Sequence, residues 1–325
     1  MTRTTISSID TLIKDIHKIA IVGHQNPDGD CIGSSMGLGL YLRERYPQLL
    51  VKIYQEALPT NFLCMPQHQL MLHEMPDEEE IREFDLLIIC DVANTDRIGL
   101  FYDKALDFRQ TLVIDHHIGS GALREGGLCY VDEKASSTSE LITRLVDEAY
   151  LTQDAAAYLY IGMAHDTGIF RYDCTAPETM EMAAMLMRKG FDFSVLLHKT
   201  FIEKTYLQNR LLAEVLRASS LHLHDRVISG VLTLEQMQHF CALPKHTEGI
   251  VNQLQNTRGI EVAIFLYAVS EKSFKISLRS MQYVDVSMIA AAFGGGGHIK
   301  AAGATAEGDA DGIISSILEE IKKQL

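Results

Sequence analysis

Short apolar runs that each stop abruptly on histidine or aspartate constrain this chain more than any other feature. Ile19-Ala20-Ile21-Val22-Gly23 runs into His24-Gln25-Asn26-Pro27-Asp28-Gly29-Asp30. Asp85-Leu86-Leu87-Ile88-Ile89-Cys90 stops at Asp91, and Thr111-Leu112-Val113-Ile114 stops at Asp115-His116-His117. An uninterrupted apolar run of this length suits a strand buried on both faces of a parallel sheet. Leu49 to Tyr54 reads as a further strand.

Helical patterns separate or follow these runs. They cover Thr11–Lys18, Cys31–Arg45 (stopped by Pro47), Ser139–Ala149, Asp154–Ala164 and Pro177–Lys189. Strands alternating with helices imply right-handed crossovers and a parallel sheet covered on both sides. Beyond Gly190 the texture changes. Phe201–Ala218 reads as a long helix and a connector, and His222–Leu232, Ile260–Val269 and Ser273–Arg279 as strands. The last two are neighbours joined by Ser270-Glu271-Lys272, and Asp311–Gln324 is a closing amphipathic helix. The expected organisation is a parallel-sheet α/β domain over 1–190, a helical connector over 191–218, and a smaller α/β domain with a mixed sheet over 219–325, with the active-site cleft between the domains. A chain of 325 residues has room for two such cores.

In an open α/β sheet, ligands bind beyond the carboxyl ends of the strands. The three polar clusters therefore converge on one crevice, and Asp166, after Gly162-Met163-Ala164-His165, is a fourth contributor. Carboxylates with imidazoles suit Mn²⁺ or Mg²⁺. Four carboxylates (Asp28, Asp30, Asp91, Asp166) match two dications in formal charge. A lone strand-end aspartate is usually a cap or turn residue, and Asp28 alone could simply cap the next helix. Clusters in series after apolar strands argue for more than capping.

Charge narrows the partners. With 29 Lys and Arg against 43 Asp and Glu, the formal net charge is −14. Binding along nucleic acid rests on many basic contacts to phosphate, so long nucleic acid is excluded as a partner, while a small anion in a metal-lined cleft is not. The six cysteines form no C-x-x-C pair and read as reduced thiols of a cytoplasmic protein. Met1–Lys18 is polar with both charge signs, which does not read as a signal peptide. No apolar run approaches the ~20 residues of a membrane span. The oligomeric state stays open, a homodimer included. His222 and His224 alternate and could in principle grip a metal, but a half-exposed strand face is the simpler reading.

Taken together, His24-x-x-Pro27-Asp28-Gly29-Asp30, the lone Asp91, Asp115-His116-His117 and Asp166-Thr167-Gly168 resemble the four motifs of the DHH phosphoesterases. Arg279-Ser280 and Gly294-Gly295-Gly296-Gly297-His298, followed by Ala301-Ala302-Gly303, resemble the DHH-associated domain. The resemblance spans nearly the whole chain and points to the group that cleaves very short RNA and adenosine 3′,5′-bisphosphate (pAp).

It implies that His24, Asp28 and Asp91 hold one divalent ion, and that Asp30, Asp91, His116 and Asp166 hold the other, with Asp91 bridging. The implied catalytic set is Asp91, His116 and His117, with His117 facing the substrate phosphate. Arg279, His298 and the glycines Gly295, Gly296 and Gly297 would hold the nucleotide, and Arg171 could help hold phosphate. Four glycines let a backbone approach a ligand and expose N–H groups to an anion, and no Walker Lys-Ser follows them. The implied reaction is hydrolysis by a water activated between two ions roughly 3.5–4 Å apart. A phosphodiesterase for linear or cyclic dinucleotides (pApA, cyclic di-AMP) would use the same site. A manganese pyrophosphatase calls for an Arg- and Lys-rich second pocket. A non-catalytic nucleotide sensor should have lost metal ligands, and none is lost here.

Overall fold

The computed structural model describes residues 8–74 and 76–325. Residues 1–7 of the polar amino-terminal stretch lie outside the described residues. The chain divides into two compact units, one ending at Glu203 and the other running from Lys204 to Leu325.

The first unit is built on a parallel sheet of six strands: β1 (Lys18–Val22), β2 (Leu50–Tyr54), β3 (Met71–Leu72), β4 (Leu86–Cys90), β5 (Thr111–Asp115) and β6 (Leu128–Val131). Their order is β3-β2-β1-β4-β5-β6. Alternate side chains explain why the central strands read as unbroken apolar runs. Ile19, Ile21, Ile88 and Ile114 enter one core, whereas Ala20, Val22, Leu87, Ile89 and Val113 enter another. The order reverses at β1, which pairs with β2 on one side and β4 on the other. The crevice beyond the carboxyl ends of β1 and β4 is thus the topological switch point of the sheet.

Three helices set the depth of that crevice: α1 (Gly29–Arg45), α2 (Thr138–Leu145) and α3 (Gln153–Asp166). A Cβ on Gly33 of α1 would lie 2.6 Å from the Tyr158 carbonyl and 2.7 Å from Cα of Gly162, both on α3. Glycine is required there for close helix approach. That approach brings the start of α1, with Asp28 and Asp30, to the end of α3, with Asp166. The helix expected over Thr11–Lys18 is only a 3₁₀ turn, Ile9–Thr11, and β1 already begins at Lys18.

The second unit carries a mixed sheet of β7 (Ser220–His222), β8 (Val227–Leu232), β9 (Val262–Ser270), β10 (Ser273–Ser280), β11 (Gly296–His298) and β12 (Ala301–Glu307), in the order β11-β12-β10-β9-β8-β7. Strands β8 and β9 run parallel, while β9, β10, β12 and β11 form an antiparallel run. One face packs on helix α5 (Ala310–Lys322) through Ile313, Ile317 and Ile321.

The other face packs on α4 (Tyr206–Ala218), whose Leu211 and Val215 join Ile228, Leu232 and Phe265. The helix expected to be a connector is therefore part of the second unit's core. Residues 193–202 form short helices that belong to the first unit instead, with Leu197 in its core. The strand expected over His222–Leu232 is a hairpin broken by Leu223, His224 and Asp225, all with φ between 51° and 62°. His222 Nε2 lies 2.8 Å from Ser229 Oγ, so this histidine is held within its own sheet.

Candidate metal centre

His24 is the first polar group past β1, and it is only 2% exposed. Its Nδ1 lies 2.8 Å from the Gln25 carbonyl, which fixes that nitrogen as the donor. Nε2 then turns toward two carboxylates, 3.5 Å from Asp28 Oδ1 and 3.6 Å from Asp91 Oδ2. Burial opposes a charge on this ring, but the Asp28 and Asp91 carboxylates, which accept from it, outweigh that and raise its pKa far above the ordinary histidine value. Asp28 also caps α1, its Oδ1 accepting from Asp30 N and Cys31 N, each at 3.1 Å. Burial pushes the other way, yet His24 and the Cys31 amide hold the Asp28 carboxyl at about 2. Asp28 thus both caps α1 and faces His24, although it joins none of the groups described below.

Asp91 is the hub. It follows β4 with φ of 60°, a left-handed backbone that aspartate tolerates better than most residues. The turn presents both oxygens of a carboxylate that is 2% exposed. Oδ2 faces His24, while Oδ1 lies 3.7 Å from His116 Nε2 and 3.6 Å from His117 Nδ1. Oδ1 also accepts from Thr138 Oγ1 at 3.2 Å.

At the end of β5, Asp115 is fully buried and orients its neighbours. Its Oδ1 accepts from His116 N (2.7 Å), His117 N (3.2 Å) and His117 Nδ1 (2.7 Å). That leaves Nε2 of His117 as the ring atom able to meet a ligand. Burial favours protonation of Asp115, but His117 overrides it and lowers its pKa.

Asp30 is fully buried at the amino end of α2, where Oδ2 accepts from Thr138 N (2.6 Å) and Oδ1 from Ser139 N (2.9 Å). Helix-end amides favour a carboxylate. Burial first, then the charges of Asp91 and Asp166, nevertheless raises its pKa well above normal. Asp166 closes α3 with Oδ2 3.0 Å from His116 Nε2. Burial raises the Asp166 carboxyl to about 6, with Asp91 and Asp28 adding to it against the pull of His116. Burial disfavours charge on His116, yet Asp166, Asp30 and Asp91 lift it to about 10.

The donor set fits divalent metals. Among the described residues, three groups have ligand atoms all within 4.8 Å of one another: His24, Cys31 and Asp91; Asp91, Asp115, His116 and His117; and Asp30, His116 and Asp166. Asp91 joins the first two groups and His116 the last two. The raised proton affinities of His24, His116, Asp30 and Asp166 mark where positive charge is wanted, and a cation answers that demand better than protons.

The remaining expected residues lie elsewhere. Arg171 is exposed, and its Nε donates to the Gly168 carbonyl at 2.8 Å. In the second unit, Arg279 on β10 and His298 on β11 are both in register with Ala301 of β12. In-register residues share a face, so Arg279 and His298 flank a floor of small side chains. The glycine run leads into an edge strand: Gly294 and Gly295 precede β11, and Gly296 and Gly297 lie in it. A Cβ on Gly295 would sit 2.1 Å from the Gly303 carbonyl, and one on Gly297 (φ 146°) 2.5 Å from the Ala301 carbonyl.

Sequence reasoning assigned no role to Thr138, Ser139 or Gln55. Ser137-Thr138-Ser139-Glu140 carries a usable signal, since Ser137 with Glu140 three residues on marks a helix start, and helix starts bind anions. Gln55 carried none.

Comparison with known proteins identifies the family. Residues 18–163 match the DHH family, N-terminal domain, and residues 231–325 match the DHHA1 domain. The chain is 31% identical to the bifunctional oligoribonuclease and PAP phosphatase NrnA of Thermus thermophilus over 94% of this chain and 90% of that one. It is 30% identical to the protein of that name from Bacillus subtilis, over 93% and 91%. A crystal structure of an exopolyphosphatase-related protein from Bacteroides fragilis superposes with a TM-score of 0.88 at 27% identity, covering 97% of this chain and 94% of that one. The chain belongs to the DHH family of metal-dependent phosphoesterases.

Proposed function

We propose that this chain hydrolyses very short RNA to mononucleotides and pAp to AMP. His24, Asp28 and Asp91 hold one divalent ion, and Asp30, Asp91, His116 and Asp166 the other, with Mn²⁺ the ion best suited to this donor set. The observation that carries the reading is the Asp91 carboxylate, one oxygen 3.6 Å from His24 Nε2 and the other 3.7 Å from His116 Nε2. Relatives named as oligoribonuclease and PAP phosphatase, matched along nearly their whole length, support the substrate class.

When bound, two such ions supply Lewis acidity and a water acidic enough to attack phosphorus near neutral pH. The chain supplies the rest. Asp91 and Asp30 are held by Thr138 and Ser139, so the ligand positions are set before substrate arrives. His117, with Nδ1–H given to Asp115, presents Nε2 to orient the phosphate or pass a proton to the leaving oxygen.

In the second unit, Arg279 and His298 grip the nucleotide, and small residues such as Ala301 let it lie close to the sheet. We assign catalysis to the unit that ends at Glu203 and substrate binding to the unit Lys204–Leu325. Among the described residues no helix is long and apolar enough to cross a membrane, and the six free cysteines suit a cytoplasmic setting.

The test is a product-resolved hydrolysis panel with Mn²⁺: pAp, short RNA, long RNA, cyclic di-AMP and pyrophosphate. Mononucleotides from short RNA and AMP from pAp are expected, with rates per end falling as RNA lengthens. Faster processive digestion of long RNA, or preference for cyclic di-AMP or pyrophosphate, would overturn the assignment.

A further inference from the structure

His24 leaves β1 at the point where sheet hydrogen bonding ends. Its backbone amide and carbonyl are bonded to side chains instead. The amide donates to Cys31 Sγ at 3.1 Å, and the carbonyl accepts from Gln55 Nε2 at 3.0 Å. Gln55 Nε2 also lies 3.4 Å from Cys31 Sγ, so the two side chains brace each other. Cys31 is fully buried, in the first turn of α1, and Gln55 is 1% exposed, just past β2. The ring Nδ1 is taken by the Gln25 carbonyl. Every polar atom of His24 but Nε2 is therefore pinned, and Nε2 faces Asp28 and Asp91.

The orientation of the Gln55 amide follows from this arrangement. Its Oε1 is buried with no hydrogen-bond partner among the described residues. Leaving such an oxygen orphaned is unfavourable. Turning the amide over would set Oε1 against the His24 carbonyl, acceptor to acceptor, and would lose the bond from Nε2. The chain keeps the orphan and holds His24.

We infer that Gln55 and Cys31 are positioning residues of the metal centre, clamping the backbone of His24 so that Nε2 is aimed before an ion arrives. This rests on the reading of His24 as a metal ligand. Groups that orient ligands commonly change metal affinity by roughly 10- to 100-fold when removed. Cys31 also belongs to the His24–Asp91 group whose ligand atoms lie within 4.8 Å, so a direct thiolate bond to the ion is the rival reading. Its sulfur already accepts from the His24 amide and faces the Gln55 amide, which favours the clamp.

The test uses full-length protein stripped of metal, with Mn²⁺ titrated calorimetrically into wild type, Gln55→Leu, Cys31→Ala and Cys31→Ser, alongside thermal midpoints of the metal-free forms. Spectra of the Co²⁺-loaded proteins complete the set. The expected result is a Kd raised roughly 10- to 100-fold in Gln55→Leu and Cys31→Ala. Cys31→Ser, which keeps an acceptor for the His24 amide, should recover most of the affinity, and wild-type Co²⁺ protein should show no thiolate-to-metal charge-transfer band. Unchanged Kd in Gln55→Leu and Cys31→Ala, whatever their thermal midpoints, would overturn the inference and leave both residues as packing. A charge-transfer band that vanishes in Cys31→Ser would make Cys31 a ligand and overturn its place in the clamp. Should Gln55→Leu fail to fold, the Cys31→Ala and Cys31→Ser pair decides. Failure of wild type to bind Mn²⁺ at all would instead remove the underlying reading of the site.

Discussion

The two sheets of this protein handle charge in opposite ways. Beyond β1, β4 and β5, the first unit gathers carboxylates and imidazoles that are buried or half-buried, apart from the exposed Asp28, and it holds them with backbone amides and with one another. The second unit sets Arg279 and His298 on a partly open face floored by Ala301. Buried like charges are costly to assemble unless a cation joins them, whereas groups on an open face cost little. The first arrangement suits chemistry on bound ions and the second suits gripping a substrate.

Breaking the first arrangement should have the largest effect. Asp91→Ala removes the one carboxylate that faces His24 with one oxygen and His116 and His117 with the other. Hydrolysis should fall on the order of 10³-fold or more, at least the scale of losing a preorganised charge partner. Calorimetry should show Mn²⁺ binding lost as well. Retention of wild-type rates, or wild-type activity after exhaustive chelation, would separate Asp91 from the chemistry.

The matching change in the second unit is Arg279→Ala. A charge-assisted contact to phosphate is worth roughly 1.5–3 kcal/mol, so kcat/KM on pAp should drop roughly 10- to 150-fold. Mn²⁺ affinity should not move. The loss should appear in KM if the contact is equal in ground and transition states, and in kcat if it strengthens toward the transition state. Unchanged kinetics would leave Arg279 structural, and lost metal affinity would dissolve the division of labour.

A smaller effect is expected from Gly295→Ala. The added Cβ would press on the Gly303 carbonyl at 2.1 Å and force β11 away from β12. Such overpacking costs roughly 1–3 kcal/mol of stability. Substrate KM should rise with Mn²⁺ affinity intact. Gly296→Ala, whose Cβ would meet nothing within 4 Å, is the control for stability. Equal behaviour of the two variants would show that the edge strand is not held as described.

The same contrast explains what the sequence made legible. Strands β1, β4 and β5 announce themselves because both faces are buried, so every position is apolar. The candidate ligands His24, Asp91 and His116 follow because a strand end is a fixed address. By contrast β6 is half exposed, β3 has two residues, and β12 reads Ala-Ala-Gly-Ala-Thr-Ala-Glu, with little β-branched signal. Small residues suit a face that a ligand approaches, and that same smallness hides the strand. Gln55 was invisible for a different reason. Its partner, the His24 carbonyl, is a backbone atom, and no residue pattern records which carbonyls a fold leaves without a strand.

The last prediction concerns protons. Metal-free protein should lose stability as pH rises, and metal should cancel the loss. Asp166 has a folded pKa of about 6 against an ordinary 3.8, and His116 about 10 against 6.5. A folded pKa above the unfolded one means the native state binds more protons between the two values, so stability falls as pH climbs through that interval. Asp166 acts between about pH 4 and 6, and His116 between about 6.5 and 10. Asp28, held at about 2, has the opposite sign but acts only below pH 3.8. From pH 5 to 9 the thermal midpoint of the metal-free protein should therefore fall, with the His116 interval contributing most of the drop. Bound ions replace those protons, so the gain in midpoint on adding Mn²⁺ should grow with pH, and calorimetry in buffers of different ionisation enthalpy should register proton release. A flat profile in metal-free wild type, or a slope undiminished in His116→Gln, would show that the cluster does not carry its excess protons in the folded chain.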